Sequence, residues 1–200
     1  MTIKLGLTGS IATGKSSALR AFADLGIPTF SSDDYVHELY RGEAVAPVEA
    51  AFPGVTVEGV IDRERLSRHV VGDPVRIRQL EAIVHPLVRA GIRRFLAGAE
   101  ASGEAIAVVD IPLLFENGVD WGLDGVVVTT VDEAEQRRRA LARPGMTVEK
   151  LDAILARQMP QAEKVKRATY ILDTSGPIAA TRNDVAALVA KLRAEAESRR

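Results

Sequence analysis

The stretch GLTGSIATGKSS, residues 6–17, most restricts what this chain can fold into. It fits the spacing G-x-x-x-x-G-K-[ST], with an apolar strand pattern before it and a helical pattern after it. In that context the motif predicts a tight loop whose backbone N–H groups converge on phosphate oxygens at a helix N-terminus. The residues that define the motif are Gly9, Gly14, Lys15 and Ser16. The sequence therefore predicts a nucleotide-binding strand, loop and helix.

Within this loop we expect Lys15 to neutralise the β- and γ-phosphates of ATP and the Ser16 hydroxyl to bind Mg²⁺ directly. The other loop residues expected to contact the nucleotide are Ile11, Ala12, Thr13 and Ser17. The alternative interpretation is a glycine turn that carries a surface lysine. A GTPase should also show an N/T-K-x-D motif, and the nearest approach is EKLD at 149–152, inside a predicted helix. A GTPase is therefore less favoured.

Short runs rich in Val and Ile alternate with longer helical patterns, which predicts an α/β fold with a five-stranded parallel sheet flanked by helices. The predicted strands are 3–8, 27–30, 105–110, 125–131 and 169–173. About 70 residues separate the second and third strands, far more than the roughly 10–12 of a simple crossover, so we expect an inserted helical subdomain there. Arginines around RPGMT indicate a smaller insertion at about 137–158.

Two helix starts can be predicted from capping signals. Asp132 and Glu135 have the spacing of a capping box, in which each side chain bonds the other residue's backbone N–H. Asp73 followed by Pro74 is expected to open a further helix, because proline suits the first helical position.

The composition limits the class of protein. A chain of 200 residues without cysteine can bury one core without disulfides or cysteine-bound metal. The net charge of -1 gives no general basic field, so neither nucleic acid nor a membrane is an expected partner. No apolar run approaches the ~18 residues of a membrane span, and no signal-peptide pattern opens the chain. We expect a cytoplasmic protein that is a monomer or a weak homo-oligomer.

Phosphoryl transfer needs a carboxylate near the acceptor hydroxyl. Asp33 and Asp34 follow the second strand at its carboxyl end, the edge of an open α/β sheet at which ligands bind, so one of them is a candidate proton acceptor. The alternative is an acidic first helical turn with Ser32 as its N-cap. Asp110 ends the third strand, where it can hold Mg²⁺ through a water molecule, orient the acceptor, or merely cap the next segment.

Cationic side chains follow the fourth strand and occur in the larger insertion. Arg139 and Arg143 share one face at helical spacing and are expected to contact phosphates, although a run of charges can also be a solvated face. His85 precedes Pro86, which should break the helix there. From spacing alone, His85 is either a structural hydrogen-bonding residue or a ligand contact.

Taken together, the motifs resemble the dephospho-coenzyme A kinase family. They follow the family's order over nearly the whole chain, and the set is specific although each motif is weak. The motifs are GLTGSIATGKSS, DDYVHELY (33–40), GVIDRERL (59–66), AIVHPLV (82–88), DIPLLFE (110–116), QRRRALAR (136–143) and RQMPQAEK (157–164). The resemblance implies ATP-dependent phosphorylation of the ribose 3'-hydroxyl of dephospho-CoA, the last step of coenzyme A synthesis.

The resemblance also implies a division of the chain. A P-loop kinase core would comprise 1–32, 103–136 and 159–200, a helical CoA-binding insertion 33–102, and a lid 137–158. Lys15, Asp33 and Arg139 would be catalytic, with Asp33 as the general base, and Arg143 would bind the nucleotide. The residues implied in acceptor binding are Asp33, His85, Asp110, Pro112, Leu113, Leu114 and Glu116.

Some positions depart from the family's pattern. Ser31 stands where the family usually has the first of two aspartates, and Ala12 replaces a frequent loop glycine. Thr169 and Thr174 replace an aspartate and an asparagine near the last strand. Gln158 and Lys164 match the continuation of the lid motif.

Two other functions remain open from the sequence. One is a P-loop kinase for a different small hydroxyl or nucleoside monophosphate acceptor. The other is a nucleotide-binding switch that transfers no phosphate, which the missing base-reading motif makes less favoured.

Overall fold

A computed structural model describes residues 2–116 and 118–198 of the chain. The strands are β1 (Ile3–Gly9), β2 (Thr29–Ser31), β3 (Thr56–Val57), β4 (Val60–Ile61), β5 (Ile106–Asp110), β6 (Gly125–Thr130) and β7 (Tyr170–Asp173). The helices are α1 (Lys15–Asp24), α2 (Ser32–Leu39), α3 (Val45–Ala51), α4 (Arg63–Val70), α5 (Pro74–Ala101), α6 (Glu133–Leu141), α7 (Val148–Leu155), α8 (Gln161–Arg167) and α9 (Ile178–Ser198). None of these helices is both long enough and apolar enough to cross a lipid bilayer.

The predicted five-stranded parallel sheet is confirmed, and its strand order is β2-β5-β1-β6-β7. Strand β1 lies in the centre, with Leu7 beside Asp110 of β5 on one side and Val127 of β6 on the other. Side chains from both faces of β1 are buried, which explains why the strand has no polar alternation. The central position of β1 places the loop that follows it at the carboxyl edge of the sheet, between two neighbouring strand ends.

The sequence prediction missed the hairpin of β3 and β4. Each strand has only two residues, too few to show a period of two. The two turn residues, Glu58 and Gly59, have φ of 48° and 79°, as a two-residue hairpin turn with both residues left-handed requires.

The chain divides into two compact units, and Ser31–Phe95 form the second. The rest of the described chain is the first unit, whose core contains the sheet, Phe22 and Ala18 of α1, and Val185 and Leu192 of α9. The second unit has its own core, with Leu39, Val48, Phe52, Leu66 and Val84 among its buried side chains.

The expected helix break at Pro86 is wrong, because α5 continues through this residue. Proline removes one backbone donor from a helix interior, which is unfavourable on its own. Here the residues around it, Val84, Leu87 and Val88, pack into the core of the second unit, and this burial keeps the helical conformation.

Two of the capping expectations also need correction. The N-cap of α2 is Ser31, whose Oγ accepts the Asp34 N–H at 3.2 Å, and Ser32 is buried inside the first turn. Asp132 caps α6 by accepting the Glu135 N–H at 3.0 Å, but the reciprocal half of the capping box is missing. The Asp132 N–H instead donates to Ser175 Oγ at 3.2 Å.

The predicted start of α5 is confirmed. The helix begins at Pro74, and the Asp73 side chain caps it by accepting the N–H groups of Val75 and Arg76 in the first turn.

Candidate active site

The glycine-rich loop joins β1 to α1, as the motif predicts. A Cβ on Gly9, the last residue of β1, would lie 2.2 Å from Oγ1 of Thr129 on β6. Gly14 has φ of 75°, and a Cβ there would lie 2.8 Å from Oγ1 of Thr174. Glycine is therefore required at Gly9 because the neighbouring strand leaves no room for a Cβ. It is required at Gly14 because of the positive φ and because Thr174 is close.

Helix α1 begins at Lys15 and has no side-chain cap on its first turn. The N–H groups of an uncapped first turn point out of the helix together with the positive end of its dipole, which favours a bound phosphate. Thr13, just before the helix, is 1% exposed, and its hydroxyl donates to the Ser10 carbonyl at 2.8 Å. The contribution of Thr13 to a nucleotide site is therefore limited to its backbone.

Lys15, the first residue of α1, forms an ion pair with Asp110, the last residue of β5. Nζ of Lys15 contacts both carboxylate oxygens of Asp110. The side chain of Lys15 is 14% exposed and that of Asp110 is 4% exposed, so bulk water screens the pair weakly. The two residues that the sequence assigned to phosphate and metal binding are thus brought together beside the glycine-rich loop.

The oxygen donors at this place fit Mg²⁺. Ser16 is exposed on the first turn of α1, next to Lys15 in the chain, and the Asp110 carboxylate supplies a second hard oxygen ligand. Mg²⁺ is usually bound by one or two protein oxygens, with phosphate and water completing its shell. Within 2–116 and 118–198 there is no cluster of three or more His, Cys, Asp or Glu side chains that could hold a metal alone.

Arg139 lies on α6, and its guanidinium is hydrogen-bonded to Thr174, the residue after β7. Its Nη2 donates to the Thr174 carbonyl at 2.8 Å, and its Nη1 to Thr174 Oγ1 at 3.2 Å. Its Nε donates to Glu135 at 2.6 Å. The guanidiniums of Arg138 and Arg139 lower the pKa of Glu135 to about 2, so this carboxylate is ionised at neutral pH.

Arg139 and Arg143 line one cavity of about 260 Å³ together with residues of the glycine-rich loop and α9. The two arginines do not share one face of a helix, because α6 ends at Leu141 and Arg143 lies in the turn after it. The remaining lining residues are Ala12, Gly14, Ser17, Thr174, Gly176, Ile178 and Thr181.

The segment after β5 contains both buried and exposed members of the predicted acceptor site. Leu114 is buried against Gly6 of β1, where a Cβ would lie 2.6 Å from its Cδ1. Leu113 is 39% exposed, so it is the leucine of this segment that can reach a ligand. The Pro112 carbonyl accepts the Thr8 hydroxyl at 3.3 Å, which fixes the segment on β1.

Glu116 ends this segment in a buried ion pair. Its Oε1 lies 2.7 Å from Nζ of Lys164, whose side chain is 0% exposed, and the same oxygen accepts the Met159 N–H at 2.9 Å. Burial alone would raise the pKa of Glu116, but Lys164 and the Met159 N–H together hold that pKa below its ordinary value. The contacts of Glu116 are therefore with α8, through Lys164, and with Met159 just before that helix.

The other predicted acceptor residues belong to the second unit. Asp33 and Asp34 are both exposed on the first turn of α2, which begins directly after β2. His85 is exposed on α5. The Tyr35 hydroxyl accepts Nη2 of Arg94 at 2.6 Å, and this bond fixes α2 against α5 close to the two aspartates in the chain.

Sequence reasoning missed two residues that contact the glycine-rich loop. Gln158 Oε1 accepts the Ile11 N–H at 2.9 Å, and Gln136 Nε2 donates to the Ile11 carbonyl at 2.8 Å. Gln158 was noted only as part of the lid motif. The signal for Gln136 was weak, since a polar residue on a helix of mixed charge is ordinary until its 7% exposure is known.

Comparison with known proteins gives a consistent result. A family model for dephospho-CoA kinase matches residues 3–180. The dephospho-CoA kinase of Rhodopseudomonas palustris (strain BisB18) is 52% identical over 191 residues, which cover 94% of this chain and 96% of that protein.

Solved structures show the same fold over nearly the full length. A structure from Thermus thermophilus has a TM-score of 0.75 and 35% identity, covering 96% of this chain and 98% of the other. The dephospho-CoA kinase from Campylobacter jejuni has a TM-score of 0.70 and 24% identity, covering 96% and 97%.

Proposed function

The chain belongs to the dephospho-CoA kinase family, and from that premise we propose that it transfers the γ-phosphoryl group of ATP to the ribose 3'-hydroxyl of dephospho-CoA. The products are CoA and ADP, and the reaction completes coenzyme A biosynthesis. The 3'-oxygen forms a bond to the γ-phosphorus, the bond to the β,γ-bridging oxygen breaks, and the hydroxyl proton passes to a carboxylate. The observation that carries the proposal is the Lys15 and Asp110 pair beside the uncapped start of α1.

The nucleotide phosphates bind in the loop between β1 and α1. The backbone N–H groups before and within the first turn of α1 donate to phosphate oxygens, and Lys15 neutralises charge on the β- and γ-phosphates. Ser16 would hold Mg²⁺ directly, and Asp110 would hold it through a water molecule. At this place Mg²⁺ would supply positive charge against the negative charge that develops on the phosphates.

The cavity beside Arg139 and Arg143 is the proposed place for the nucleoside part of ATP. Its volume of about 260 Å³ is slightly below the ~300–1,000 Å³ of pockets that enclose a whole drug-sized ligand, and this size suits one part of a larger ligand. Gly14 and Ser17 of the phosphate loop line the same cavity, so one nucleotide can occupy both places. Arg139 and Arg143 then face the phosphates and stabilise the transferring group.

Asp33 is the proposed proton acceptor. It is an exposed carboxylate directly after β2, at the edge of the sheet where ligands of open α/β folds bind. We assign acceptor binding to the second unit, Ser31–Phe95, with His85 contributing, and to the exposed Leu113. Residues 137–158 act as the lid that excludes water from the reacting phosphate. The cytoplasm, which supplies ATP and Mg²⁺, is the proposed location.

The direct test is CoA formation from Mg·ATP and dephospho-CoA by the purified protein. The expected result is stoichiometric CoA and ADP, with activity lost in Lys15→Ala. The proposal is wrong if the wild-type protein makes no CoA, or if Lys15→Ala makes it at the wild-type rate.

A panel of acceptors separates the other kinase function. Dephospho-CoA should be phosphorylated with a higher kcat/KM than adenosine, nucleoside monophosphates or small sugars. A preference for any of these would favour the other kinase, and ATP hydrolysis without a phosphorylated product would favour the switch.

A further inference from the structure

Two glutamines hold the backbone of one phosphate-loop residue from both sides. Gln158, after α7, accepts the Ile11 N–H through Oε1 at 2.9 Å. Gln136, on the buried face of α6, donates from Nε2 to the Ile11 carbonyl at 2.8 Å. Both backbone groups of Ile11 are therefore satisfied by side chains that come from far along the chain.

The residue after Ile11 explains why such a hold is needed. Ala12 has φ of 61°, a left-handed conformation that a residue with a Cβ adopts at a cost of about 1–2 kcal/mol. The Ile11 carbonyl belongs to the Ile11–Ala12 peptide group, which directly precedes the strained φ angle of Ala12. A strained loop conformation persists only where its surroundings over-determine it. The two glutamines supply that restraint at the tip of the loop.

Gln158 is itself fixed by its neighbours in the chain. The N–H of the next residue, Met159, donates to Glu116, which pairs with the fully buried Lys164. Glu116 ends the segment after β5 that carries the proposed acceptor contact, Leu113. A continuous set of contacts thus runs from that segment through Glu116, Met159 and Gln158 to the phosphate loop.

We propose that Gln158 is a positioning residue for the nucleotide, which sets the direction of the Ser10–Ile11 peptide group and ties the phosphate loop to the segment Pro112–Glu116. Gln158 touches no reacting atom in this role. It acts because the loop's N–H groups converge on phosphate only when each peptide group has the correct direction. The proposal rests on the proposed function in so far as the bound ligand is a nucleotide.

The test compares the Kd for Mg·ADP of wild-type protein and of Gln158→Met, which keeps the side-chain length and loses the acceptor. We expect the Kd to rise roughly fivefold to tenfold, the effect of one lost hydrogen bond on loop geometry. The backbone amide of Ile11 should also exchange its hydrogen faster in the variant. An unchanged Kd overturns the proposal. A lower Kd also overturns it, because Gln158 would then compete with phosphate for the Ile11 N–H.

The chain offers a matched control three residues away. Gln161 also holds a single residue, accepting the Val131 N–H at 3.2 Å and donating to the Val131 carbonyl at 2.9 Å, but at the end of β6 instead of in the loop. Gln161→Met should lower the melting temperature and leave the Kd for Mg·ADP within twofold. If both variants weaken ADP binding equally, the effect is general destabilisation and the proposal fails.

The link to Glu116 is tested by a double-mutant cycle. In the background E116Q/K164M, which removes both charges of the buried pair together, Gln158→Met should cost at least threefold less in ADP affinity than in the wild type. Additive effects within twofold overturn the link. ADP binding is measured without dephospho-CoA, so a failure here is distinct from absence of CoA formation, which would contradict the proposed function itself.

Discussion

Arg139 donates to both the carbonyl and the hydroxyl of Thr174, at 2.8 and 3.2 Å, whereas the guanidinium of its neighbour Arg138 bonds only to Glu135 among the described residues. Thr174 in turn donates to the Thr13 carbonyl at 3.0 Å. One threonine therefore connects the arginine to the phosphate loop, and this connection fixes where the guanidinium can act.

Arg139→Ala should lower kcat for CoA formation by about 10²- to 10³-fold, because it removes a charged donor from the transferring phosphoryl group. The measurement is steady-state kinetics at saturating ATP and dephospho-CoA. Arg138→Ala removes the same charge one residue away and should change kcat by less than about threefold. If kcat fell equally in the two variants, the positive charge of the helix in general, and not the position of Arg139, would be responsible for the loss.

Asp33→Asn should lower kcat by about 10²- to 10⁴-fold and leave the Kd for ATP nearly unchanged, because the amide cannot accept the hydroxyl proton. The matched control is Asp34→Asn, since both aspartates are exposed in the first turn of α2 and stabilise its N-terminus alike. If the two variants have the same kcat, or if Asp33→Asn keeps wild-type turnover, Asp33 is only a helix-terminal charge.

Glu116→Gln should destabilise the protein at neutral pH by about 3–5 kcal/mol, because it leaves the buried charge of Lys164 without its partner. Since the pKa of Glu116 is lowered in the folded protein, its ion pair contributes stability above the ordinary value of 4.5 and loses it as pH falls through the lowered value. The measurement is the free energy of unfolding of both proteins from pH 7 to pH 3. The difference should be largest at pH 7 and shrink below about pH 4.5, where the carboxyl is protonated first in the unfolded chain and then, through its lowered pKa, in the folded wild type. A constant difference would contradict this account.

Gly91→Ala should destabilise the second unit by about 1–3 kcal/mol, because the new Cβ would lie 2.3 Å from Cε1 of Tyr35. Thermal unfolding measures the effect. Gly98 lies in the same helix with no atom within 4 Å of its Cβ position, and Gly98→Ala should instead stabilise by about 1 kcal/mol through helix propensity. A stabilised Gly91→Ala variant would show that the Tyr35 ring moves aside at no cost.

The sheet and the phosphate loop could be predicted because each has a strong local signal. Four of the five strands are largely apolar runs, the short β2 being the exception, and the loop has four residues at fixed spacing between a strand and a helix. Lys15 and Asp110 could be placed at one edge of the sheet by the same reasoning. They meet because β1 and β5 are parallel neighbours. The strand order could not be predicted from where the strands end in the sequence.

The remaining features depend on contacts between distant parts of the chain. Pro86 does not end α5, because packing in the second unit outweighs the local preference of proline. Glu135 has the position of a capping-box partner, yet it pairs with Arg138 and Arg139, since two charged donors bind it more strongly than one backbone N–H. No local pattern indicates that Gln136 and Gln158 contact Ile11, because Ile11 is more than a hundred residues earlier.

The central place of β1 also has a consequence during translation. The strand leaves the ribosome before its neighbours β5 and β6, which are complete only once Thr130 has been synthesised. At about 5–20 residues per second the nascent strand stays unpaired for on the order of 10 s, while the whole of Ser31–Phe95 emerges and can fold. The apolar strand that carries the phosphate loop therefore waits without either of its sheet neighbours throughout that interval.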